Sequence, residues 1–351
     1  MINITKIYMQ RCFELALEGA GSVAPNPMVG AVLVYNNRII GEGYHEKYGE
    51  AHAEVNCIKS VSEADRHLIQ ESTLYVSLEP CAHFGKTPPC SQLIIDHHIP
   101  KVVIACSDPF IAVNGKGIEK LKEAGIEIVF GILEEEAKEL NKRFFVFHQF
   151  KRPYIILKWA ETANHFIASD TKERLLISNE LSNRLVHRWR SEETAIMVGT
   201  NTALKDNPTL TNRLWSGKNP IRIVIDQHLN VPTDYHLLQK EVITIVFNDL
   251  KNETDEQLIY VRLDFCKNII EQILRYCYAY PIQSIIVEGG AKLLQSFIDS
   301  GIWDEARIIQ NESLNIETGL AAPILKAHIL EDRFQLSKDT IFVYRNELKK
   351  I

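Results

Sequence analysis

Long apolar runs are missing from this 351-residue chain; none approaches the ~18 consecutive residues that a membrane span needs. Its first residues, Met1-Ile2-Asn3-Ile4-Thr5-Lys6, lack the basic start and apolar stretch of a secretory leader, so a cytoplasmic location is expected. An excess of positive charge is missing too. Asp and Glu total 45 against 39 Lys and Arg, a net −6, which speaks against a surface built to track nucleic-acid phosphates. Cysteines are few and odd in number: Cys12, Cys57, Cys81, Cys90, Cys106, Cys266 and Cys277. That excludes a disulfide framework, and in a reducing compartment Cys near His points to metal or catalysis. Low-complexity segments and internal repeats are absent. What remains is ordinary globular composition, 46% hydrophobic and 24% charged, with a length that suggests about two domains.

Both halves alternate helix and strand patterns. In the first, Ile7 to Leu17 reads as an amphipathic helix. Ala31 to Tyr35 and Arg38 to Ile40 read as a hairpin, because Asn36-Asn37 tolerates the positive φ of a tight turn. Strands follow at Thr73–Leu78, Lys101–Ala105 and Ile126–Phe130, with helices at His52–Val61, Ser91–His98, Gly115–Ala124 and Glu134–Phe144. The helical pattern ends near Phe147 to Pro153, which divides the chain into expected domains 1–148 and 153–351. The second half restarts with strands at Tyr154–Trp159, Ala195–Val198, Ile221–Asp226, Val242–Phe247 and Ser284–Glu288, and helices such as Asn179–Arg190 and Ala291–Ser300. Two different α/β domains are expected, each with a mixed or parallel sheet covered on both faces.

Three short stretches of the first half carry chemistry: Glu50-Ala51-His52-Ala53-Glu54, Glu79-Pro80-Cys81, and Pro88-Pro89-Cys90, with eight residues between the two cysteines. One imidazole and two thiolates suit tetrahedral Zn²⁺ and leave its fourth position for water. Glu54, two residues past His52, is placed to take a proton from that water and hand it to a leaving amine. That is the logic of nucleobase deaminases. His83 is a rival ligand, crowded by its closeness to Cys81. A purely structural zinc site would have no use for Glu54. A nucleic-acid-editing role lacks the basic, aromatic-interleaved tract it would need.

The second half lacks the Gly-x-Gly-x-x-Gly dinucleotide fingerprint. It has two strand-to-helix transitions through glycine, at Val198-Gly199 and at Ile285-Ile286-Val287-Glu288-Gly289-Gly290-Ala291. After the second, free N–H groups at a helix start could cradle a pyrophosphate.

With Pro25-Asn26-Pro27-Met28-Val29-Gly30, His52-Ala53-Glu54 and the run from Glu79 to Cys90, the chain resembles the bifunctional deaminase–reductases of riboflavin biosynthesis. The resemblance spans nearly the whole length. It implies a cytidine-deaminase-like three-layer first domain and a dihydrofolate-reductase-like second domain. It implies Zn²⁺ on His52, Cys81 and Cys90, proton transfer by Glu54, and a substrate pocket bordered by Asn26, His45, Lys86 and Asn114. Hydrolytic deamination of 2,5-diamino-6-(5-phosphoribosylamino)pyrimidin-4-one would be followed by NADPH-dependent reduction of the ribosyl group to ribityl. For that second step the resemblance assigns Thr202, Asp206, Gly289 and Gly290 to the cofactor, and Arg190, Leu210, Arg213 and Glu288 to the substrate. It implies a small phosphorylated pyrimidine as partner and a homo-oligomeric assembly.

Three positions depart from that pattern. Ala51 replaces a common Pro. Thr162-Ala163-Asn164-His165 stands where Ser-x-Asp-Gly is usual, and Leu176 where Trp is common. The loss of glycine at His165, a residue that permits positive φ, predicts a weakened reductase. A deaminase with a weakened or inactive reductase-like second domain used for assembly is the alternative.

Overall fold

A computed structural model describes residues 4–82, 88–110, 113–170 and 175–348. The chain forms two compact units, Met1–Lys151 and Arg152–Lys350. Among the described residues no helix is long and apolar enough to cross a membrane.

The first unit is three-layered. Its sheet runs in the order β2-β1-β3-β4-β5, with β1 (Gly30–Tyr35), β2 (Arg38–Tyr44), β3 (Thr73–Val76), β4 (Lys101–Ile104) and β5 (Glu127–Phe130). β1 is antiparallel to β2 and β3, whereas β3, β4 and β5 are parallel. The β1–β2 turn uses positive φ at Asn36 and Asn37, as the Asn pair predicts. Alternate strand residues face opposite ways. Leu33, Leu74, Val102 and Ile104 meet Ala53, Cys57, Ile94 and Leu121 of α2 (Ala53–Lys59), α3 (Cys90–Asp96) and α4 (Lys116–Glu123). Val32, Val34, Tyr75 and Val103 meet α1 (Ile4–Leu17), α5 (Glu134–Leu140) and α6 (Lys142–Phe150) through Met9, Cys12, Ala137 and Phe145.

One element differs from expectation. The helix predicted over Glu134 to Phe144 is two helices, broken at Asn141. Helical periodicity continues across the break, so pattern alone does not reveal it.

The second unit is built on a ten-stranded sheet. Its strands are β6 (Tyr154–Thr162), β8 (Ala195–Gly199), β9 (Ile221–Ile225), β10 (Thr244–Asn248), β11 (Glu253–Asp255), β12 (Leu258–Arg262), β13 (Ser284–Val287), β14 (Glu305–Asn311), β16 (His328–Leu336) and β17 (Asp339–Asn346). Their order is β11-β12-β10-β9-β8-β13-β6-β14-β17-β16. The seven strands from β12 to β14 are parallel neighbours. A separate ribbon pairs β7 (Phe166–Ser169) with β15 (Gly319–Ala321). Helices α7 (Glu180–Glu192), α8 (Thr200–Asp206), α9 (Ile269–Ala279) and α10 (Ala291–Asp299) connect the strands. One core joins Ile155, Leu157 and Trp159 of β6 to Ile273 of α9 and to Leu294 and Phe297 of α10. β13 returns between β8 and β6, so the chain reverses direction across the sheet there. Crevices for ligands open at the carboxyl ends of parallel strands beside such a reversal.

Candidate active sites

In the first unit, β3 ends beneath Glu79-Pro80-Cys81 and α3 begins at Cys90, while His52 directly precedes α2. These starts bring three donors together. His52 Nδ1 lies 3.3 Å from Cys90 Sγ and 3.7 Å from Cys81 Sγ, and all three ligand atoms lie within 4.8 Å of one another. Zn–N of ~2.0 Å and Zn–S of ~2.3 Å at tetrahedral angles require N···S of ~3.5 Å. The two measured separations bracket that value, so the donor set fits a zinc ion. The Cys81 thiol is pulled down to about 4, first by its hydrogen bond with Cys90 and then by His52 and the Cys90 N–H. A group already held as thiolate is a prepared metal ligand. Cys90 is pushed up by that same bond and by burial.

Glu54 is buried, 3% exposed, in the first turn of α2, and its burial raises its pKa. A carboxyl so placed holds a proton more readily than one in water, as a general acid–base group needs.

His45 is buried rather than solvated. Its Nδ1 donates to Ala51 O at 2.9 Å, which leaves Nε2 to accept Asn26 Nδ2 at 3.0 Å. Its ring stands edge-on to His52, centroids 5.3 Å apart. Ala51 contributes through its carbonyl, so the departure from Pro leaves this contact intact. Asn114 is exposed, and its N–H donates to Phe110 O at 3.0 Å. Lys86 and His83 lie outside the described residues.

In the first unit, two residues escape sequence reading. The Glu79 carboxylate accepts backbone N–H groups from Asp108, Gly115, Gly117 and Ile118, at 3.3, 3.0, 2.9 and 3.3 Å. It gathers the loop before α4 against Pro80-Cys81. Burial pushes the neighbouring Asp108 up to about 7. Glu79 stands inside the cysteine motif, but nothing local foretells bonds to residues some thirty positions later.

The second unit's site lies at the carboxyl ends of β6, β8 and β13. Glu288 is its centre. Arg190 forks onto it, Nε to Oε1 at 3.1 Å and Nη2 to Oε2 at 2.7 Å. Lys158 Nζ is 3.8 Å from Oε2. Burial works to raise Glu288, but Arg190 and Lys158 outweigh it and hold the carboxyl down at about 2. Burial lowers Lys158. The Arg190 side chain is 13% exposed, against 53% for nearby Arg188. Lys158 was missed, though a lysine inside the run Ile155-Ile156-Leu157-Lys158-Trp159 is itself a signal, since unpaired buried charge is costly.

Leu210 is buried at φ +53°, and Arg213 is exposed. Arg213 N–H donates to His187 Nδ1 at 2.8 Å, and its Nη1 to Thr211 Oγ1 at 3.1 Å. Burial, then Arg190 and Arg213, push His187 down to about 4.

Thr202 stands against the glycine pair. A Cβ at Gly289 would meet Val198 Cβ at 3.0 Å and Thr202 Oγ1 at 3.1 Å, and one at Gly290 would meet Thr202 Oγ1 at 3.3 Å. Gly290 has φ +69° and caps α10 without a side chain, which leaves the first N–H groups of that helix for an anion. This cradle fits a dinucleotide's phosphates. Asp206 is exposed at the other end of α8, about 6 Å along the helix from Thr202.

The altered turn after β6 keeps the glycine-like conformation. His165 itself adopts φ +62°, the conformation a glycine would take. Its Nδ1 pairs with Glu161 Oε1 at 2.8 Å, which helps hold it there. Thr162 Oγ1 and Asn164 Oδ1 keep a hydrogen bond of 2.8 Å. The turn is therefore formed, not lost. Leu176 is 76% exposed.

Known proteins match both units. Residues 3–106 fit the cytidine and deoxycytidylate deaminase zinc-binding region, and residues 153–311 the RibD C-terminal domain. The riboflavin biosynthesis protein RibD of Aquifex aeolicus is 42% identical over 324 residues, 90% of each chain. That of Actinobacillus pleuropneumoniae is 41% identical over 305 residues, 84% of this chain and 80% of the other. A Thermotoga maritima diaminohydroxyphosphoribosylaminopyrimidine deaminase/5-amino-6-(5-phosphoribosylamino)uracil reductase superimposes with TM-score 0.89 at 35% identity, over 98% of this chain and 99% of that one. Acinetobacter baumannii RibD does so with TM-score 0.90 at 30% identity, again over 98% and 99%.

Proposed function

The chain belongs to the RibD family of bifunctional deaminase–reductases of riboflavin biosynthesis, and from that premise we propose how its own residues divide the work. It is a hydrolase and an oxidoreductase on one polypeptide, with zinc for the first reaction and NADPH for the second. A second unit used only for assembly is not favoured, because the likeness to RibD runs through both units.

In the first unit, His52 Nδ1, Cys81 Sγ and Cys90 Sγ hold the zinc, which when bound makes a water nucleophilic near neutral pH. Glu54 would take a proton from the attacking water and give one to the departing amine. Ring amine and water become ring carbonyl and ammonia. Asn26 and His45 form a wall beside His52, and the family resemblance adds Asn114 and Lys86 to the residues that bind the pyrimidine. The observation that carries this reading is the convergence of three donors within 4.8 Å beside a buried carboxyl.

In the second unit, NADPH when bound would supply a hydride to the sugar's C1 carbon as the bond from C1 to the ring oxygen opens and that oxygen takes up a proton. Gly289, Gly290 and the start of α10 receive its phosphates, with Thr202 and Asp206 at its border. Arg190, Glu288 and Leu210 line the sugar side. Lys158 joins them, and Arg213 offers an exposed guanidinium to the sugar phosphate. Boundaries at 148 and 153 for the two domains fit this division. All seven cysteines are free thiols, which suits a cytoplasmic enzyme. The assembly is a homo-oligomer, a point for light scattering.

Supplying the diaminopyrimidinone phosphate to zinc-loaded protein, with and without NADPH, and weighing the products tests the whole. Loss of an amine in exchange for oxygen is expected without NADPH, and two further hydrogens with it. Unchanged substrate in both arms refutes the reading.

A further inference from the structure

Asn141 breaks the helix that would otherwise join α5 to α6, with φ −107° and ψ 25°. It is 3% exposed. Its side chain makes a two-way bridge to one distant residue. Oδ1 accepts the Met28 N–H at 2.8 Å, and Nδ2 donates to the Met28 carbonyl at 2.9 Å. Those partners are 113 positions apart. Among the common side chains, a carboxamide presents a donor and an acceptor side by side, as a strand's backbone does.

Met28 sits in the stretch between α1 and β1, which has neither helix nor strand of its own. Such a stretch takes its position from its anchors. Asn26 N–H donates to Val23 O at 2.9 Å, and His45 N–H to Val29 O at 2.9 Å. Asn26 Nδ2 meets His45 Nε2 at 3.0 Å, and the His45 ring abuts His52. Direct bonds thus lead from Asn141 through the Met28 backbone to the Asn26–His45 pair beside the zinc ligands. Asn141 also lies beyond residues 3–106, the region matched as zinc-binding.

We propose that Asn141 is a positioning residue for deamination: it fixes Met28, and through Met28 the Asn26–His45 wall against which the pyrimidine is held. This rests on the reading that Asn26 and His45 border the substrate. Asn141 itself touches neither substrate nor metal. The break between α5 and α6 is then what frees this side chain to turn inward.

The test uses the full-length chain with Asn141→Ala and Asn141→Asp. Asp keeps the acceptor for Met28 N–H but sets an oxygen against the Met28 carbonyl. Zinc content, deaminase kinetics and reductase rate are measured on the same preparations. The expected result is a deaminase KM raised about 10-fold with a smaller change in kcat, since the lost interaction places substrate rather than moves protons. Zinc should stay near one equivalent, and the reductase rate, read in the other unit, should be native. Asn26→Ala should raise KM alike, and adding Asn141→Ala should cost little more, because both act through one pair. Native KM in both Asn141 variants, or loss of zinc from both, overturns the proposal. Native KM in Asn26→Ala overturns instead the substrate reading beneath it.

Discussion

At the scale of single residues, the proposed deaminase site gives metal holding and proton transfer to different side chains. Cys90 supplies a ligand atom 3.3 Å from His52 Nδ1, so Cys90→Ser should lose most of the zinc, as metal analysis would show. Glu54 is not part of that donor cluster. Glu54→Gln should keep about one equivalent of zinc yet release ammonia ~10²–10⁴-fold more slowly. A variant that lost both together would merge the two roles. In the second unit, His165 makes the contrast between a residue's type and its conformation. A non-glycine residue in the left-handed region costs ~1–2 kcal/mol. The bond to Glu161 offsets much of that, at ~0.5–1.5 kcal/mol. Restoring Asp at 164 and Gly at 165 should therefore change NADPH-dependent turnover by less than about 5-fold. A larger gain in steady-state assays would show the native turn to be impaired.

At the scale of elements, the loop before α4 and the first turn of that helix clamp the metal segment. Gly117 packs so closely that an added Cβ would lie 1.9 Å from Pro80 O, the residue before Cys81. Gly115 has φ +86° but open space around it. Gly117→Ala should push Pro80-Cys81 away and leave the protein with substoichiometric zinc. Gly115→Ala meets only the backbone strain, ~1–2 kcal/mol, and should retain zinc with a slightly lower Tm. Metal analysis and thermal melts of the pair distinguish steric crowding from conformational strain.

At the scale of the molecule, the two units permit separate measurement. Trp159, Trp189, Trp215 and Trp303 all fall after residue 151, so tryptophan fluorescence reports the second unit alone. His187 is held neutral there, its pKa lowered from 6.5 to about 4. As pH falls from about 6.5 towards 4, the unfolded chain binds a proton that the folded unit does not. Stability is full above that window and drops within it, by up to ~1.4 kcal/mol per pH unit. Urea midpoints read by tryptophan should fall between pH 7 and pH 5, and His187→Gln should flatten that slope. A slope unchanged by the substitution assigns the effect to other groups. A fragment ending at Lys151 should fold, bind zinc and deaminate, because its sheet and donor cluster all precede that residue.

The chain's local pattern determined its α/β alternation, the Asn36-Asn37 hairpin and the metal donors, because period, turn chemistry and soft ligands are written in neighbouring residues. The cluster of His52, Cys81 and Cys90 was legible for that reason. Tertiary structure alone decided the break at Asn141, the four N–H groups gathered on Glu79, and the Arg190–Glu288–Lys158 cluster. Each depends on partners far along the chain, from about 30 to 130 positions, chosen by how sheets bring strand ends together rather than by propensity. His165 shows the same division from the other side. Its type forecast a cost at a position that favours glycine, and only the folded turn, with Glu161 in reach, supplied the hydrogen bond that helps hold the positive φ.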